Sequence, residues 1–88
     1  MFTVYAIYSQ TSDKIYIGQT IDIDSRLKQH NSNGGDHLGK FTLQNRGPWA
    51  LIHKEAFPTR TEAIKRERQL KSFRGREFVK NLIKHMRP

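Results

Sequence analysis

The chain has 88 residues, enough for one small domain with its own core and too few for a second catalytic lobe. Sixteen lysines and arginines against eight acidic residues give a net charge of +8, which favours a polyanionic partner, nucleic acid first. The absence of cysteine excludes disulfides, thiolate metal sites and cysteine nucleophiles. Because the sequence has no apolar run of the roughly 20 residues that a membrane span needs and no N-terminal targeting pattern, we expect a soluble, cytoplasmic protein without a membrane partner.

The positive charge is concentrated in the last third of the chain. Residues 1–58 have a net charge of +1, whereas residues 59–88 have a net charge of +7. Such an asymmetry is expected when one surface follows a phosphate backbone. A pair of solvated helices whose lysines keep the protein in solution would look similar, so the charge indicates a nucleic-acid partner without proving one.

Alternating side chains predict a β-hairpin at the start of the chain. Apolar, aromatic and β-branched residues alternate with the period of a strand over Phe2–Tyr8 and again over Lys14–Gly18. Gln10–Asp13 has the composition of a turn, so the two strands are joined by a loop of about five residues. Gly18 indicates a close backbone approach, or no more than the end of the strand.

The pairing of these two strands decides where two tyrosines lie. If Tyr8 is opposite Asp13, then Tyr5 is opposite Tyr16 and both hydroxyls emerge on one face of the sheet. A slip of one residue would separate the two hydroxyls. Tyrosines in the middle of strands are more often packing residues than catalytic ones, so their position alone leaves both roles open.

Three helices and a third strand follow the hairpin. Asp22 or Asp24 can cap a first helix that continues to about Asn31, with Ile23 and Leu27 on its inner side. A loop is predicted over Asn31–Gly39 and a turn at Gly47-Pro48, followed by a strand over Trp49–Ala56. A second helix is predicted from a Thr59/Glu62 capping box to about Ser72. The last helix is predicted from near Gly75 to Lys84, with Phe78, Val79, Leu82 and Ile83 inward.

The predicted element order is β-β-α-β-α-α. A small three-stranded antiparallel sheet flanked by three helices is the simplest architecture that buries these faces, so we expect an α+β fold. No repeat, low-complexity tract or linker interrupts the pattern, and residues 1–88 are therefore expected to form a single domain.

One glutamate stands where the helix pattern predicts an apolar residue. Glu67 lies three residues after Ile64 and three before Leu70, on the inner stripe that Lys71 is expected to join by its alkyl stem. A carboxylate at that position is costly unless it is paired or binds a cation. Two explanations stay open: a metal ligand, and a half-buried ion pair with a basic group from another element, such as Arg26.

Arg26 and His30 lie four residues apart, hence on one face of the first helix, beside its apolar stripe. An arginine can hold a phosphate oxygen and a histidine can exchange a proton. For two residues alone, a solvent-facing pair is the simpler explanation. The other histidines, His37, His53 and His85, have no spacing typical of a metal site.

These residues follow one another in a specific order along the chain. Tyr16-Ile17-Gly18 is preceded by Thr3-Val4-Tyr5 and followed by the Arg-x-x-x-His helix and the later glutamate. The series resembles the GIY-YIG nuclease family over essentially the whole chain, although only the tyrosine of the first Gly-Ile-Tyr is retained. The segment 65–73 is similar to the second-helix signature of small stand-alone bacterial members, which are related to the nuclease domain of the excision-repair incision subunit and to intron-homing endonucleases.

The resemblance implies a catalytic role for five residues. Tyr5 and Tyr16 would lie at the scissile phosphate, and one of them would help to activate the attacking water. Arg26 would contact the phosphate and stabilise charge in the transition state, and His30 would assist proton transfer. Glu67 would hold a single divalent ion, Mg²⁺ or Mn²⁺.

The resemblance also implies supporting roles. Gly18 would be the structural glycine of the motif. Asn81 matches a late asparagine found in some members, although a helix-surface amide explains it as well. Contacts to the nucleic-acid backbone are expected from basic side chains of the last third, namely Lys65, Arg68, Lys71, Arg74 and Arg76.

The same residue types suit phosphodiester hydrolysis, which needs a nucleophilic water, a cation and a cationic clamp. A tyrosine with its unperturbed pKa of about 10 is mostly neutral at neutral pH. It can act as a base only if Arg26 or Lys14 favours its phenolate, or if His30 accepts its proton. A solvent-exposed strand lysine explains Lys14 equally well.

We therefore expect a metal-dependent endonuclease that hydrolyses phosphodiester bonds in DNA, with RNA as a second candidate partner, low sequence specificity and a role in DNA repair or recombination. The degenerate Thr3-Val4-Tyr5 motivates an alternative, a nucleic-acid-binding module on the same fold without chemistry. An interaction domain whose basic helices meet an acidic protein is a third reading of the charge. The sequence indicates neither the oligomeric state nor which tyrosine acts as the base.

Overall fold

The computed structural model of the chain describes residues 1–11, 13–31 and 49–86 and has the expected α+β architecture. Its elements, in chain order, are β1 (Phe2–Ser9), β2 (Lys14–Thr20), α1 (Ile23–Asn31), β3 (Trp49–Phe57), α2 (Arg60–Lys71) and α3 (Phe73–Met86). The order confirms the sequence prediction. The predicted loop beyond Asn31 and the predicted turn at Gly47-Pro48 lie outside the described residues. In the described part of the chain, no helix is long and apolar enough to cross a bilayer.

The sheet is antiparallel, with β1 between β2 and β3. In the hairpin, Tyr5 is opposite Gly18, and Tyr16 is opposite Ile7. The register that places Tyr5 opposite Tyr16 is therefore wrong by two residues. Because side chains alternate with a period of two, a shift of two keeps both tyrosines on one face of the sheet.

The turn explains this shift. The strands extend to Ser9 and Lys14, which pair with each other, so the connection is shorter than predicted. Asp13 has a left-handed backbone with φ of 53°, a conformation that aspartate adopts more readily than most residues. Its carboxylate accepts a hydrogen bond from the Tyr8 hydroxyl at 2.7 Å. Tyr8 and Asp13 are thus in contact without being the strand partners that the sequence suggested.

The central strand β1 separates two apolar layers. The layer under α2 and α3 contains Val4, Ala6, Tyr8, Ile17, Ala63, Leu70, Val79 and Ile83. The smaller layer under α1 contains Tyr5, Ile7 and Trp49, with Tyr16, Ile23, Leu27 and Leu51 half-buried against them. A strand covered on both faces has apolar side chains at consecutive positions, which is why β1 is buried along most of its length.

Short polar side chains fix where α1 and α2 begin. The Asp22 carboxylate accepts hydrogen bonds from the Ser25 amide at 3.2 Å and the Ser25 hydroxyl at 2.8 Å. The Thr59 hydroxyl oxygen accepts one from the Glu62 amide at 3.3 Å. These bonds satisfy amides of the first turn that have no partner within the helix. The predicted Thr59 cap is confirmed, and of the two candidates for α1 the cap is Asp22 rather than Asp24.

The last helix begins earlier than predicted, at Phe73 rather than near Gly75. Ser72 precedes it, and the Ser72 hydroxyl oxygen accepts a hydrogen bond from the Gly75 amide at 3.3 Å. A β-carbon at Gly75 would collide with the backbone of Gln69 and Leu70. The glycine is therefore explained by the close approach of two helices and not by a helix start.

Two side chains that were predicted to face the core are exposed. Phe78 is 40% exposed at the edge of the buried face of α3, where it contacts the His53 ring edge-on and the Arg66 guanidinium. The Lys71 side chain is 51% exposed instead of burying its stem, because it turns along the surface of α2 to reach Glu67.

Candidate active site

The Tyr5 hydroxyl and the His30 imidazole form a buried hydrogen bond, with 2.9 Å between Oη and Nε2. β1 positions the tyrosine and α1 positions the histidine, and the two residues are 0% and 5% exposed. Helix α1 lies against this face of the sheet because Ile23 and Leu27 pack into the smaller apolar layer. The fold thus joins two candidate catalytic residues that are 25 positions apart.

Tyr16 and Trp49 surround the imidazole with further aromatic rings. The Tyr16 ring centroid is 4.8 Å from that of His30 and 6.1 Å from that of Tyr5. The Trp49 ring, buried at the start of β3, is 6.4 Å from that of His30. Such rings exclude solvent from the imidazole and so penalise its charged form.

Gly18 leaves the space that this arrangement needs. Because Gly18 is the strand partner of Tyr5, its α-carbon lies beside the phenol ring. An added β-carbon would lie 3.0 Å from the Tyr5 hydroxyl oxygen and 3.0 Å from an edge carbon of the Tyr16 ring. These distances are tighter than ordinary contacts, so the two rings occupy the volume that a side chain at position 18 would fill.

Arg26 lies one helical turn before His30 on α1. One of its terminal nitrogens donates to the Gln29 side-chain oxygen at 3.4 Å, whereas its buried Nε has no hydrogen-bond partner among the described residues. Within the same ranges, the buried Nδ1 of His30 also lacks one. Buried polar atoms are nearly always paired. Among the described residues, these two nitrogens are therefore available to a polar ligand.

The environment keeps both members of the Tyr5–His30 pair neutral. Burial raises the pKa of Tyr5 to about 12, and the Arg26 guanidinium offsets part of that shift. Burial and, to a lesser extent, the charge of Arg26 lower the pKa of His30 to about 4. For Tyr5, a phenolate stabilised by a neighbouring cation is thus disfavoured, whereas donation of its proton to a neutral imidazole remains open.

Glu67 lies on α2, near enough to Tyr5 for its charge to raise the tyrosine pKa slightly. Its side chain is 19% exposed, and its Oε2 accepts a hydrogen bond from Lys71 Nζ at 2.6 Å. The expected ion pair is present, but its partner lies one turn along the same helix and is neither Arg26 nor a group of another element. The four-residue spacing explains this, because it places both side chains on one helix face.

A divalent ion at this site would depend on Glu67 for its carboxylate ligand. Within residues 1–11, 13–31 and 49–86, no three histidine, aspartate or glutamate side chains come together as a metal site. One carboxylate is nevertheless compatible with Mg²⁺ or Mn²⁺, since hard ions keep several waters and take further oxygens from substrate phosphates. The donor set fits an ion that binds together with a phosphate, once Lys71 releases the carboxylate.

The structure distributes the remaining predicted residues over several surfaces. Lys14, Lys71 and Arg76 line an open cleft beside Tyr16. Lys65 lines a shallow hollow with Phe57 and Pro58. Three further residues are exposed and line neither of these depressions: Arg68, Arg74 and Asn81.

Sequence reasoning missed three residues that lie at or beside the cluster. Trp49 was assigned to a strand, but nothing in the sequence indicated that its ring would face His30. Lys80 and Lys84 line the cleft beside Tyr16. They follow Arg76 at intervals of four residues, a spacing that places all three on one helix face and could have revealed them.

Comparison with known proteins identifies the relatives of this chain. The family model of the GIY-YIG catalytic domain matches residues 1–81. A UPF0213 protein of Haloquadratum walsbyi is 37% identical over 70 residues, which span 78% of this chain and 74% of the relative. A UPF0213 protein of Syntrophus aciditrophicus is 37% identical over 81 residues, which span 91% of this chain and 88% of the relative.

A solved structure is similar as well. The solution NMR structure of a UPF0213 protein from Bacillus halodurans matches with a TM-score of 0.52 and 35% sequence identity, over 93% of this chain and 85% of that one. The family match covers both tyrosines, the glycine, the arginine, the histidine and the glutamate of the series found in the sequence. The chain therefore belongs to the GIY-YIG family of nuclease domains.

Proposed function

We propose that the protein is a divalent-metal-dependent endonuclease that hydrolyses phosphodiester bonds in DNA with low sequence specificity, acts in DNA repair or recombination, and forms a single nuclease domain over residues 1–88. Membership of the family supplies a nuclease-type function. The observation that carries the finer proposal is the buried hydrogen bond between Tyr5 and His30, beside an Arg26 Nε that has no partner in the described ranges.

Water activation is assigned to the Tyr5–His30 pair. With its proton on Nδ1, His30 accepts the Tyr5 proton at Nε2 while the Tyr5 oxygen accepts a proton from the attacking water. The water oxygen forms a bond to phosphorus, the bond from phosphorus to the leaving sugar oxygen breaks, and that oxygen takes a proton from solvent. A bound phosphate offsets the positive charge of Arg26, so it raises the proton affinity of the imidazole when the substrate is present.

Arg26 is assigned to the phosphate itself. The guanidinium has several donors in one plane and matches two phosphate oxygens at once. Its Nε, which no described residue pairs, and its long 3.4 Å bond to Gln29 leave donors available for a ligand. Tyr16, in contact with the His30 ring, is assigned to positioning the phosphate against the Tyr5 hydroxyl.

Glu67 is assigned to the metal ion, which when bound neutralises phosphate oxygens and stabilises the leaving oxygen. The low sequence specificity rests on the basic surface around the site, because contacts between lysine or arginine and phosphate do not read base identity. The same surface supports DNA as the substrate and would also accept RNA.

The test is a cleavage assay on purified protein with single-stranded, duplex and branched DNA in the presence of Mg²⁺ or Mn²⁺. Arg26→Ala and Glu67→Ala should each lower the rate by roughly 10²–10³-fold, as expected for the loss of one group that stabilises the transition state. Chelation of the metal should abolish cleavage. If wild type and both variants show the same trace of cleavage, the activity is a contaminant and the proposal fails.

A second candidate, a binding module without chemistry, is favoured by two observations. Lys71 already neutralises the Glu67 carboxylate, and the first motif keeps only its tyrosine in Thr3-Val4-Tyr5. A binding module would hold DNA in a salt-sensitive manner without a divalent ion, and Glu67→Ala would leave its affinity intact. Loss of DNA binding when the metal is removed would count against this second function.

A further inference from the structure

An open cleft lies between the edge strand β2 and the last helix, α3. Its volume is about 740 Å³, within the range of roughly 300–1,000 Å³ that is common for ligand sites. It begins at Tyr16, a member of the aromatic cluster around His30. Ile17 and Ile83 of its lining belong to the apolar layer on the other face of the sheet from the Tyr16–His30 contact, so the cleft adjoins the candidate active site at the edge of β2.

The walls of this cleft are positively charged. In the described ranges, its lining includes five basic side chains: Lys14, Lys71, Arg76, Lys80 and Lys84. Against these stands one carboxylate, Asp13, which already accepts a hydrogen bond from the Tyr8 hydroxyl. Cations that converge on one concavity attract a polyanion more strongly than the same charges spread over a surface.

The floor of the cleft is apolar. The apolar and aromatic residues of its lining are Tyr8, Ile15, Tyr16, Ile17 and Ile83. A DNA duplex offers phosphates at its outside but keeps the flat faces of its bases stacked inside the helix. An unpaired strand offers both phosphates and base faces, and single-strand-binding proteins hold it with a basic groove and with aromatic side chains, here Tyr8 and Tyr16, on which bases stack. The combination found here matches an unpaired strand.

One cleft residue also links the cleft to the candidate metal carboxylate. Lys71 lines the cleft and contacts Glu67, while Tyr16 lies between the cleft and His30. A strand lying along the cleft would therefore carry its backbone towards Tyr5 and Glu67.

We propose that this cleft binds an unpaired DNA strand adjacent to the scissile phosphate, with the backbone on the basic walls and the bases on the apolar floor. The proposal rests on the proposed nuclease function and deepens it. It adds Lys80 and Lys84 to the basic residues that bind the strand.

The test is the affinity of the full chain for fluorescent oligo(dT) in EDTA, where no cleavage occurs. The double variant Lys80→Gln/Lys84→Gln should bind about tenfold more weakly at physiological salt, and the slope of log affinity against log salt should fall by about 0.7 for each lysine removed. Lys28→Gln/Lys54→Gln is the matched control, because it removes two exposed lysines that do not line the cleft. It should change affinity less than twofold. Thermal unfolding verifies that both variants fold.

Three ligands test the unpaired strand. Wild type should bind oligo(dT) about tenfold more tightly than a blunt duplex of equal charge, and about tenfold more tightly than an abasic oligonucleotide, which keeps the phosphates but has no bases to stack. Oligo(rU) distinguishes unpaired RNA from unpaired DNA, which carry the same backbone phosphates. Tighter binding of oligo(rU) than of oligo(dT) would overturn the assignment to DNA.

The two proposals fail separately. Equal loss of affinity in the cleft variant and the control would overturn the cleft as the strand site, even if the wild type cleaves DNA. Equal affinity for duplex and oligo(dT) would overturn the unpaired strand. A wild type that binds oligo(dT) through Lys80 and Lys84 but never cleaves would support the cleft and reject the nuclease proposal.

Discussion

The Tyr5 hydroxyl and the His30 imidazole meet at 2.9 Å in the protein interior, with the two residues 0% and 5% exposed. Because burial lowers the pKa of His30 to about 4, the folded protein keeps this imidazole neutral at pH values where the unfolded chain protonates it. The unfolded chain then binds the extra proton. The contribution of the neutral His30 to the free energy of unfolding is therefore fully present above the unfolded pKa of about 6.5. It is lost as the pH falls from there towards about 4.

Lowering the pH from about 7.5 to about 5 should reduce the free energy of unfolding by about 2 kcal/mol. Urea unfolding at the two pH values measures this difference. His30→Gln should remove most of the pH dependence in that range, whereas His85→Gln, at an exposed histidine of α3, should preserve it. A wild-type protein that is equally stable at both pH values would contradict a buried neutral His30.

If Tyr5 and His30 act as one proton relay, the effects of the two substitutions on the cleavage rate should not be additive in free energy. Tyr5→Phe and His30→Gln should each slow single-turnover DNA cleavage by roughly 10²–10⁴-fold, the usual contribution of general acid–base groups. The double variant should be no slower than the slower single variant. DNA affinity in EDTA should change little, since neither residue lines the cleft. Fully multiplicative losses would show that the two residues act in separate steps.

Gly18→Ala should disturb the same pair from the opposite strand. The new methyl group would lie 3.0 Å from the Tyr5 hydroxyl oxygen, so the phenol must move away from His30 or the strands must separate. We expect a loss of about 1–3 kcal/mol in stability, typical of overpacking, and a cleavage rate at least tenfold lower.

The combination Tyr5→Phe/Gly18→Ala isolates the contact. Removing the hydroxyl that the methyl group meets should restore part of the stability lost in Gly18→Ala, which a double-mutant cycle from urea unfolding measures. The rest of the stability loss should remain, because the Tyr16 ring is also 3.0 Å from the added carbon. Strictly additive changes in stability would mean that the Tyr5 hydroxyl is not what limits position 18.

The Thr59 cap of α2 contributes to stability and has no part in the proposed catalysis. Thr59→Ala removes the hydroxyl that accepts the Glu62 amide at the start of α2, and the loss of such a cap costs about 1 kcal/mol. In a domain of this size that corresponds to a fall of about 4–8 °C in Tm, measurable by thermal unfolding. Thr61→Ala makes the same chemical change at an exposed, non-capping position and should leave Tm nearly unchanged. Equal shifts in the two variants would exclude capping as the cause.

Much of the fold was predictable because each element leaves a local signature in the sequence. Alternation over Phe2–Tyr8 and the Thr59 cap depend on neighbouring residues alone, so strand and helix followed from the pattern. The hairpin register did not, because it is set by the turn, where Asp13 adopts a positive φ. With Ser9 paired to Lys14 across that turn, the strand partner of Tyr5 is Gly18 and not Tyr16.

The sequence could name candidate site residues but not the contacts between them. Helical spacing placed Arg26 and His30 together, and family resemblance added the tyrosines, but burial decides which protonation states exist. The neutral Tyr5–His30 pair depends on the rings packed around it, including Trp49, and such packing across elements leaves no local pattern. The position of Glu67 on the inner stripe of its helix correctly indicated a paired carboxylate. It did not indicate that the partner, Lys71, would lie on the same helix.

The Lys71 ammonium pairs with the Glu67 carboxylate, which is the group that the proposed metal ion needs. Lys71→Gln should free Glu67, so Mn²⁺ should bind the DNA-free protein about two- to threefold more tightly, in line with the modest energy of a partly exposed i,i+4 pair. Electron paramagnetic resonance of free Mn²⁺ measures this affinity without reference to activity.

Lys80→Gln is the control for that measurement, because it removes one cleft lysine whose nearest carboxylate is Glu77 at 3.8 Å rather than Glu67. It should leave Mn²⁺ affinity almost unchanged, while both variants weaken the binding of oligo(dT). DNA phosphates that draw Lys71 into the cleft would thus release Glu67 for the metal, so strand and ion should bind cooperatively in wild type and less so in Lys71→Gln. Weaker Mn²⁺ binding in Lys71→Gln than in wild type would show instead that Lys71 supports the metal site.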